Sequence, residues 1–169
     1  DWTLQDNGFA RGLPPQRDNA ASWDVMRPVL ADPGIKPQPE HIRWTRDAFL
    51  DLLRIRASTP LLRLRTAAEV RQRLTWLNTG PQQEPTVMAV MLDGRDLPGA
   101  GFQAVATFVN AGREARRIPA PDAKGRSFEL HPVHLAASAA DARAREATYD
   151  AVRGEFTIPA RTAVAFVLR

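Results

Sequence analysis

The chain has 169 residues, 44% of them hydrophobic, with a formal net charge of +4 and no cysteine. That length allows one ordinary domain, or one small domain plus a fragment, around a packed core. The composition excludes disulfides and thiol chemistry in this segment, and no apolar run approaches the ~20 residues that span a bilayer.

The positive charge is carried almost wholly by arginine, with only Lys36 and Lys124 as lysines. Acids are interspersed among them, as in Arg113-Glu114-Ala115-Arg116-Arg117 and Asp141-Ala142-Arg143-Ala144-Arg145-Glu146. Nucleic-acid surfaces carry one-signed clusters with aromatic companions. This pattern is a solvated surface, so no nucleic-acid partner is expected. No signal peptide is visible, but the chain starts at Asp1 without a Met, so a processed or trimmed product is expected. The lack of cysteine does not fix the compartment; a bacterial parent in the extracellular or periplasmic space is the favoured expectation.

Residues 1–39 read as irregular. Pro14-Pro15, Pro28, Pro33-Gly34, Pro37 and Pro39 punctuate them, and Ala21 to Leu30 holds at most one short helix with Ser22 as its cap. An irregular stretch of this length argues against independent folding and fits a long active-site loop resting on a larger body. Residues 40–57 predict an amphipathic helix. Trp44, Ala48, Leu52 and Ile55 share one face, joined by Phe49 and Leu53, while charged residues including Asp51 fill the other. Pro39 suits the first helical position and Thr59-Pro60 ends the helix. Thr66 with Glu69 three residues on predicts a capped helical turn.

From there the character is β. Predicted strands cover 73–78, 86–92, 103–110, 127–130, 148–158 with a break at Gly154, and 162–168. Asp93-Gly94, Pro98-Gly99, Ala111-Gly112, Pro119 and Lys124-Gly125 mark turns between them. Phe156 and Ile158 alternate with polar neighbours until Pro159 ends the run. Residues 162–168 are apolar on both faces, the pattern of a strand covered on both sides. A closing hairpin from these two runs fits the last strand of an antiparallel β-sandwich. The segment 136–146 reads as a short helix or a loop.

Few residues invite chemistry. Gly8 and Gly12 lack the following helix and lysine of a phosphate loop. His131 and His134 are three apart around Pro132, which on a strand points them to opposite faces with no third ligand in reach, so a structural role is expected and no metal site is assigned. Asp93 and Asp96 do not follow the Ca²⁺-loop spacing and read as a turn. Asp1, Trp2, Asp6 and Asn7 are the candidate substrate-binding residues, because an indole face stacks on a ring and the others bond hydroxyls. The alternative is that Trp2 packs and Asp6-Asn7-Gly8 is a turn.

Phe156 to Leu168 with Leu130-His131-Pro132-Val133, and the head Asp1-Trp2-Thr3-Leu4-Gln5-Asp6-Asn7-Gly8-Phe9 with Gly12-Leu13-Pro14, resemble the C-terminal portion of the pullulanase-type α-1,6-glucosidases, debranching members of the α-amylase superfamily. Arg56-Ala57-Ser58-Thr59-Pro60-Leu61 is similar to the end of that superfamily's final barrel helix. The resemblance implies residues 1–62 as the last loop and helix of a (β/α)8 barrel and residues 63–169 as a C-terminal β-sandwich. The overall class is then mainly β, an antiparallel sandwich preceded by an irregular loop and one long helix. It implies a retaining hydrolase of α-1,6 branches whose catalytic carboxylates lie on earlier strands, so no catalytic residue is assigned here. The partner is then an α-glucan held by the missing barrel. No cofactor is expected in this segment, though the parent could hold Ca²⁺. Self-association through the exposed helix face is a further expectation. The competing readings are a carbohydrate-binding module, for which 7% aromatics and the lone Tyr149 are thin, and a protein-interaction domain.

Overall fold

The computed structural model describes residues 1–169, which divide into two compact units, Asp1–Asp47 and Ala48–Arg169. No helix in it is long and apolar enough to cross a membrane.

The first unit is more ordered than its prolines suggest. It contains α1 (Gln16–Asn19), a 3-10 turn Ala20–Ser22, α2 (Trp23–Ala31), a 3-10 turn Pro33–Ile35 and the start of α3 (Pro39–Ala57). Ser22 does precede α2, but its side chain makes no capping bond: it is the last residue of the 3-10 turn that runs into the helix. Asp32 caps the next turn by accepting from the Gly34 amide at 2.7 Å. The indole N–H of Trp23 donates to the Pro14 carbonyl at 3.0 Å. No side chain in Asp1–Asp47 is buried.

The second unit takes the end of α3, a 3-10 turn Pro60–Arg63 and α4 (Ala67–Arg73) into eight strands. Thr66 caps α4 with the expected reciprocal pair: its hydroxyl accepts from the Glu69 amide, and Glu69 accepts from the Thr66 amide. The strands are β1 (Leu74–Trp76), β2 (Val87–Asp93), β3 (Ala104–Asn110), β4 (Arg116–Pro119), β5 (Glu129–Leu130), β6 (Thr148–Asp150), β7 (Glu155–Ile158) and β8 (Thr162–Leu168). A short helix, α5 (Pro132–Leu135), follows β5. They build two antiparallel sheets, ordered β1-β2-β3-β8-β5 and β4-β7-β6. The expected antiparallel sandwich is thus present.

Alternation along each strand sets the layers. Ala104, Ala106 and Phe108 of β3 and Val164, Phe166 and Leu168 of β8 meet Ile118 of β4 and Phe156 and Ile158 of β7 between the sheets. Val105 and Val167 point the other way, into a second cluster with Leu61, Leu92 and Ala100. Strand β8 is therefore buried on both faces. Phe156 centres the main core, with ring centroids 4.8 Å from Phe108, 5.0 Å from Phe166 and 4.5 Å from Tyr149.

Three expectations change. The closing runs are not a hairpin: β7 and β8 lie in different sheets, and Pro159-Ala160-Arg161 carries the chain across the sandwich. The hairpin partner of β7 is β6, joined through Gly154, where a Cβ would sit 2.9 Å from the Ala120 carbonyl oxygen. Strand β4 was not expected, because Arg116-Arg117-Ile118-Pro119 shows one core residue among charges and a proline; it is an edge strand, where those residues belong. Arg73 belongs to α4, not to the first strand. Segment 136–146 resolves into a 3-10 turn, Ala142–Glu146, whose Ala144 is fully buried.

Candidate functional site

The head segment folds on itself. The Asp1 carboxylate accepts from the Thr3 hydroxyl at 2.6 Å. Asp6 accepts from the Gly8 amide at 2.7 Å and from Arg11 at 2.8 Å, and Asn7 accepts from the Phe9 amide at 3.0 Å. The Arg11 guanidinium, then the Gly8 amide, hold Asp6 below the ordinary carboxylate range. Gly8, Leu4 and Ala10 have φ of 76°, 58° and 63°. For a residue such as Leu4 that is uncommon backbone. Trp2 is fully exposed. Asp1, Asp6 and Asn7 thus shape the turn, and Trp2 presents an open indole.

Helix α3 divides its apolar residues differently from the expected single face. Asp51 and Ile55, four residues apart, face inward. Asp51 and Ile55 are buried, whereas Phe49 is 60% and Leu52 and Leu53 are 43% and 42% exposed. Trp44, in the first unit, is half-exposed as well. Asp51, expected at the surface, is the buried one. It is satisfied there by the Ala140 amide at 2.8 Å and by Arg54 at 2.6 Å. Further along, the Thr59 hydroxyl donates to the Ala100 carbonyl at 2.7 Å. An apolar groove of about 270 Å³ runs beside the helix, lined by Leu52, Ile55, Leu62, Val109, Ala163 and Ala165.

The histidines do not lie on a strand. His131 is the N-cap of α5 and His134 lies within it, and both are buried. His131 Nδ1 accepts from the Val133 amide at 3.2 Å, which leaves the ring proton on Nε2, 3.0 Å from Ser58 Oγ. The Ser58 hydroxyl donates to the Ile55 carbonyl at 2.7 Å. This pair therefore has neither a free base nor a nucleophile poised for attack, in contrast to a catalytic Ser–His arrangement. Burial drives the His131 pKa down to about 4.

A smaller polar cleft of about 160 Å³ is lined by Arg73, Thr75, Asp93, Arg95, Asp122 and Arg126, with Leu77, Met91 and Ala104. Arg73 donates to the carbonyls of Asp93 and Arg95, and Arg95 pairs with the Asp93 carboxylate at 2.7 Å. The turn expected at Asp93 and Asp96 follows β2, closed by the Leu97 amide on the Gly94 carbonyl at 3.2 Å.

Two antiparallel sheets packed as a sandwich, with a long helix before them in the chain, define the class of fold, a mainly-β domain. The chain belongs to the family described as alpha-1,6-glucosidases, pullulanase-type, C-terminal, whose model matches residues 4–169. It is 38% identical to pullulanase 1, chloroplastic, of Arabidopsis thaliana over 99% of this chain and 18% of that protein, and 28% identical to the pullulanase of Klebsiella aerogenes over 95% and 14%. Among solved structures, the maltotriose complex of PulA from Klebsiella pneumoniae superposes over 99% of this chain and 18% of that one, with a TM-score of 0.82 and 25% identity. The chain thus spans less than a fifth of the length of these relatives.

Proposed function

We propose that this chain is the C-terminal part of a starch- or glycogen-debranching hydrolase that cleaves α-1,6-glucosidic bonds, with residues 1–62 completing the catalytic barrel and residues 63–169 forming a structural sandwich. One observation carries the reading. Helix α3 buries Asp51 and leaves Phe49, Leu52 and Leu53 in water. An apolar stripe opposite the pinned side of a helix is a surface made for another body. The relatives' remaining length supplies one, and in this reading the barrel covers that stripe. Without it, the same stripe drives self-association.

Retaining glycoside hydrolysis needs two carboxyl groups ~5 Å apart across the scissile bond. The barrel that carries them typically takes about 250 residues, more than this chain has. Chemistry then belongs upstream, and the chain alone is catalytically silent, as is any Ca²⁺ site a matter for the rest of the enzyme. The head segment contributes glucan contacts: Trp2 stacks on a sugar ring, while Asp1, Asp6 and Asn7 hold the loop and bond hydroxyls at its rim. That PulA from Klebsiella pneumoniae is known as a maltotriose complex supports a glucan ligand.

The test is reducing-sugar release from pullulan by this chain and by a version extended upstream in its native reading frame. Activity in the extended version alone is the expected result. Silence in both, with the extended protein folded, would overturn the assignment.

A further inference from the structure

We propose that His131 and His134 form an acid-sensitive latch, His131 capping helix α5 and His134 fastening that helix to strand β8, closed while both rings are neutral and opened when they take up protons. The inference stands apart from the enzymatic reading, because it concerns only the second unit.

The geometry sets the protonation states. His131 and His134 are 3% and 5% exposed. Each ring uses a bare nitrogen to accept a backbone N–H: His131 Nδ1 from Val133, and His134 Nε2 from Ala165 at 3.1 Å. The second bond comes from strand β8, and the other nitrogen of His131 reaches Ser58 just past the end of α3. A proton added to either accepting nitrogen turns it into a donor facing another donor. Both backbone bonds are then lost, and the Val133 and Ala165 amides are left without their acceptors, an arrangement costly in a buried site.

The surroundings do not rescue the charged form. Around His131 stand the Phe102 ring edge, the Ser58 hydroxyl, His134 and Arg169; the last two repel a proton there. Around His134, Asp51 of α3 and Asp141 favour the charged ring. Both acids are engaged, however, with Arg54 and Arg143, and Arg145 donates to the His134 carbonyl. Burial outweighs them, so both rings titrate below the ordinary value of 6.5. The folded chain therefore binds fewer protons than the unfolded one below 6.5, for His131 down to about 4. The latch's stabilisation is complete above about pH 6.5 and is lost as the pH falls toward 4. The third histidine, His41, is exposed in the first unit and takes no part.

Proton NMR of the histidine rings, with amide exchange at Val133 and Ala165 between pH 7.5 and 4.5, tests this on the chain as it stands. Both rings should titrate below 6.5, His131 near 4. Exchange at the two amides, corrected for intrinsic rate, should rise at least tenfold over that range while Phe108 stays protected. The double variant His131→Asn, His134→Gln keeps an amide oxygen for each backbone donor but cannot titrate, so its exchange should not respond to pH. Rings that titrate near 6.5 in the folded chain would overturn the latch, as would amide protection indifferent to pH or equally responsive in the double variant. If the double variant does not fold, the ring titrations and amide exchange of the unaltered chain decide the matter.

Discussion

The two units are held in opposite ways. Asp1–Asp47 has no buried side chain, and its shape rests on local bonds such as Asp6 to Gly8 and Arg11, Asp32 to Gly34, and Trp23 to Pro14. Ala48–Arg169 surrounds a continuous core with a second cluster on the far side of its larger sheet. Local hydrogen bonds contribute little net stability each, whereas ordering a residue costs ~1–2 kcal/mol. A segment that buries nothing cannot offset that cost alone. The difference teaches that the second unit carries its own core while the first does not, and in the proposed reading the barrel supplies what the head lacks.

Phe156→Ala should have the largest effect. Four neighbouring rings, Phe108, Phe128, Tyr149 and Phe166, lose their common partner, and stability should fall by ~3–5 kcal/mol in urea unfolding. A small loss would mean the core is less closely packed than the ring distances imply. Asn110→Ala comes next. The buried Asn110 amide donates to the carbonyls of Glu114, Ile158 and Pro159 and accepts from the Gly112 amide, where the chain crosses between sheets. Removing it should cost ~1–3 kcal/mol by the same measurement, since the Ile158 and Pro159 carbonyls stay buried without that donor.

The head should respond in function rather than in stability. In the extended enzyme, Trp2→Ala is expected to raise KM for pullulan about tenfold, equivalent to ~1.4 kcal/mol of binding, with the fold unchanged. An unaltered KM would remove Trp2 from the glucan site. The smallest stability effect belongs to Phe49→Glu with Leu53→Glu. Both side chains are exposed, so the unfolding midpoint of this chain should stay within ~0.5 kcal/mol per site. Light scattering should show less self-association, while the extended enzyme carrying the pair should lose activity. A stable, active extended variant would break the idea that α3 faces a barrel.

Much of this was legible in the sequence because it was written in local patterns. The two-sided apolarity of 162–168 marked β8 as an inner strand, the Thr66–Glu69 pair marked the start of α4, and Gly154 marked a break in the run 148–158, which the structure makes the turn between β6 and β7. Strand β4 escaped notice because an edge strand buries only Ile118 and carries its signal in one residue. The candidate sugar contacts could be named from residue type, but not that Asp6 and Asn7 are engaged in shaping their own turn.

By itself the sequence determined the long helix and most of the strands, and through its motifs the family, because periodicity and turn chemistry act over a few residues. Only the tertiary structure decided that β7 and β8 part into different sheets, that Asp51 rather than Phe49 is the buried residue of α3, and that two histidines meet three separate elements. Those outcomes depend on which surfaces find partners across long separations in the chain, and a lone helical face cannot reveal whether its partner is the sandwich behind it or a body beyond.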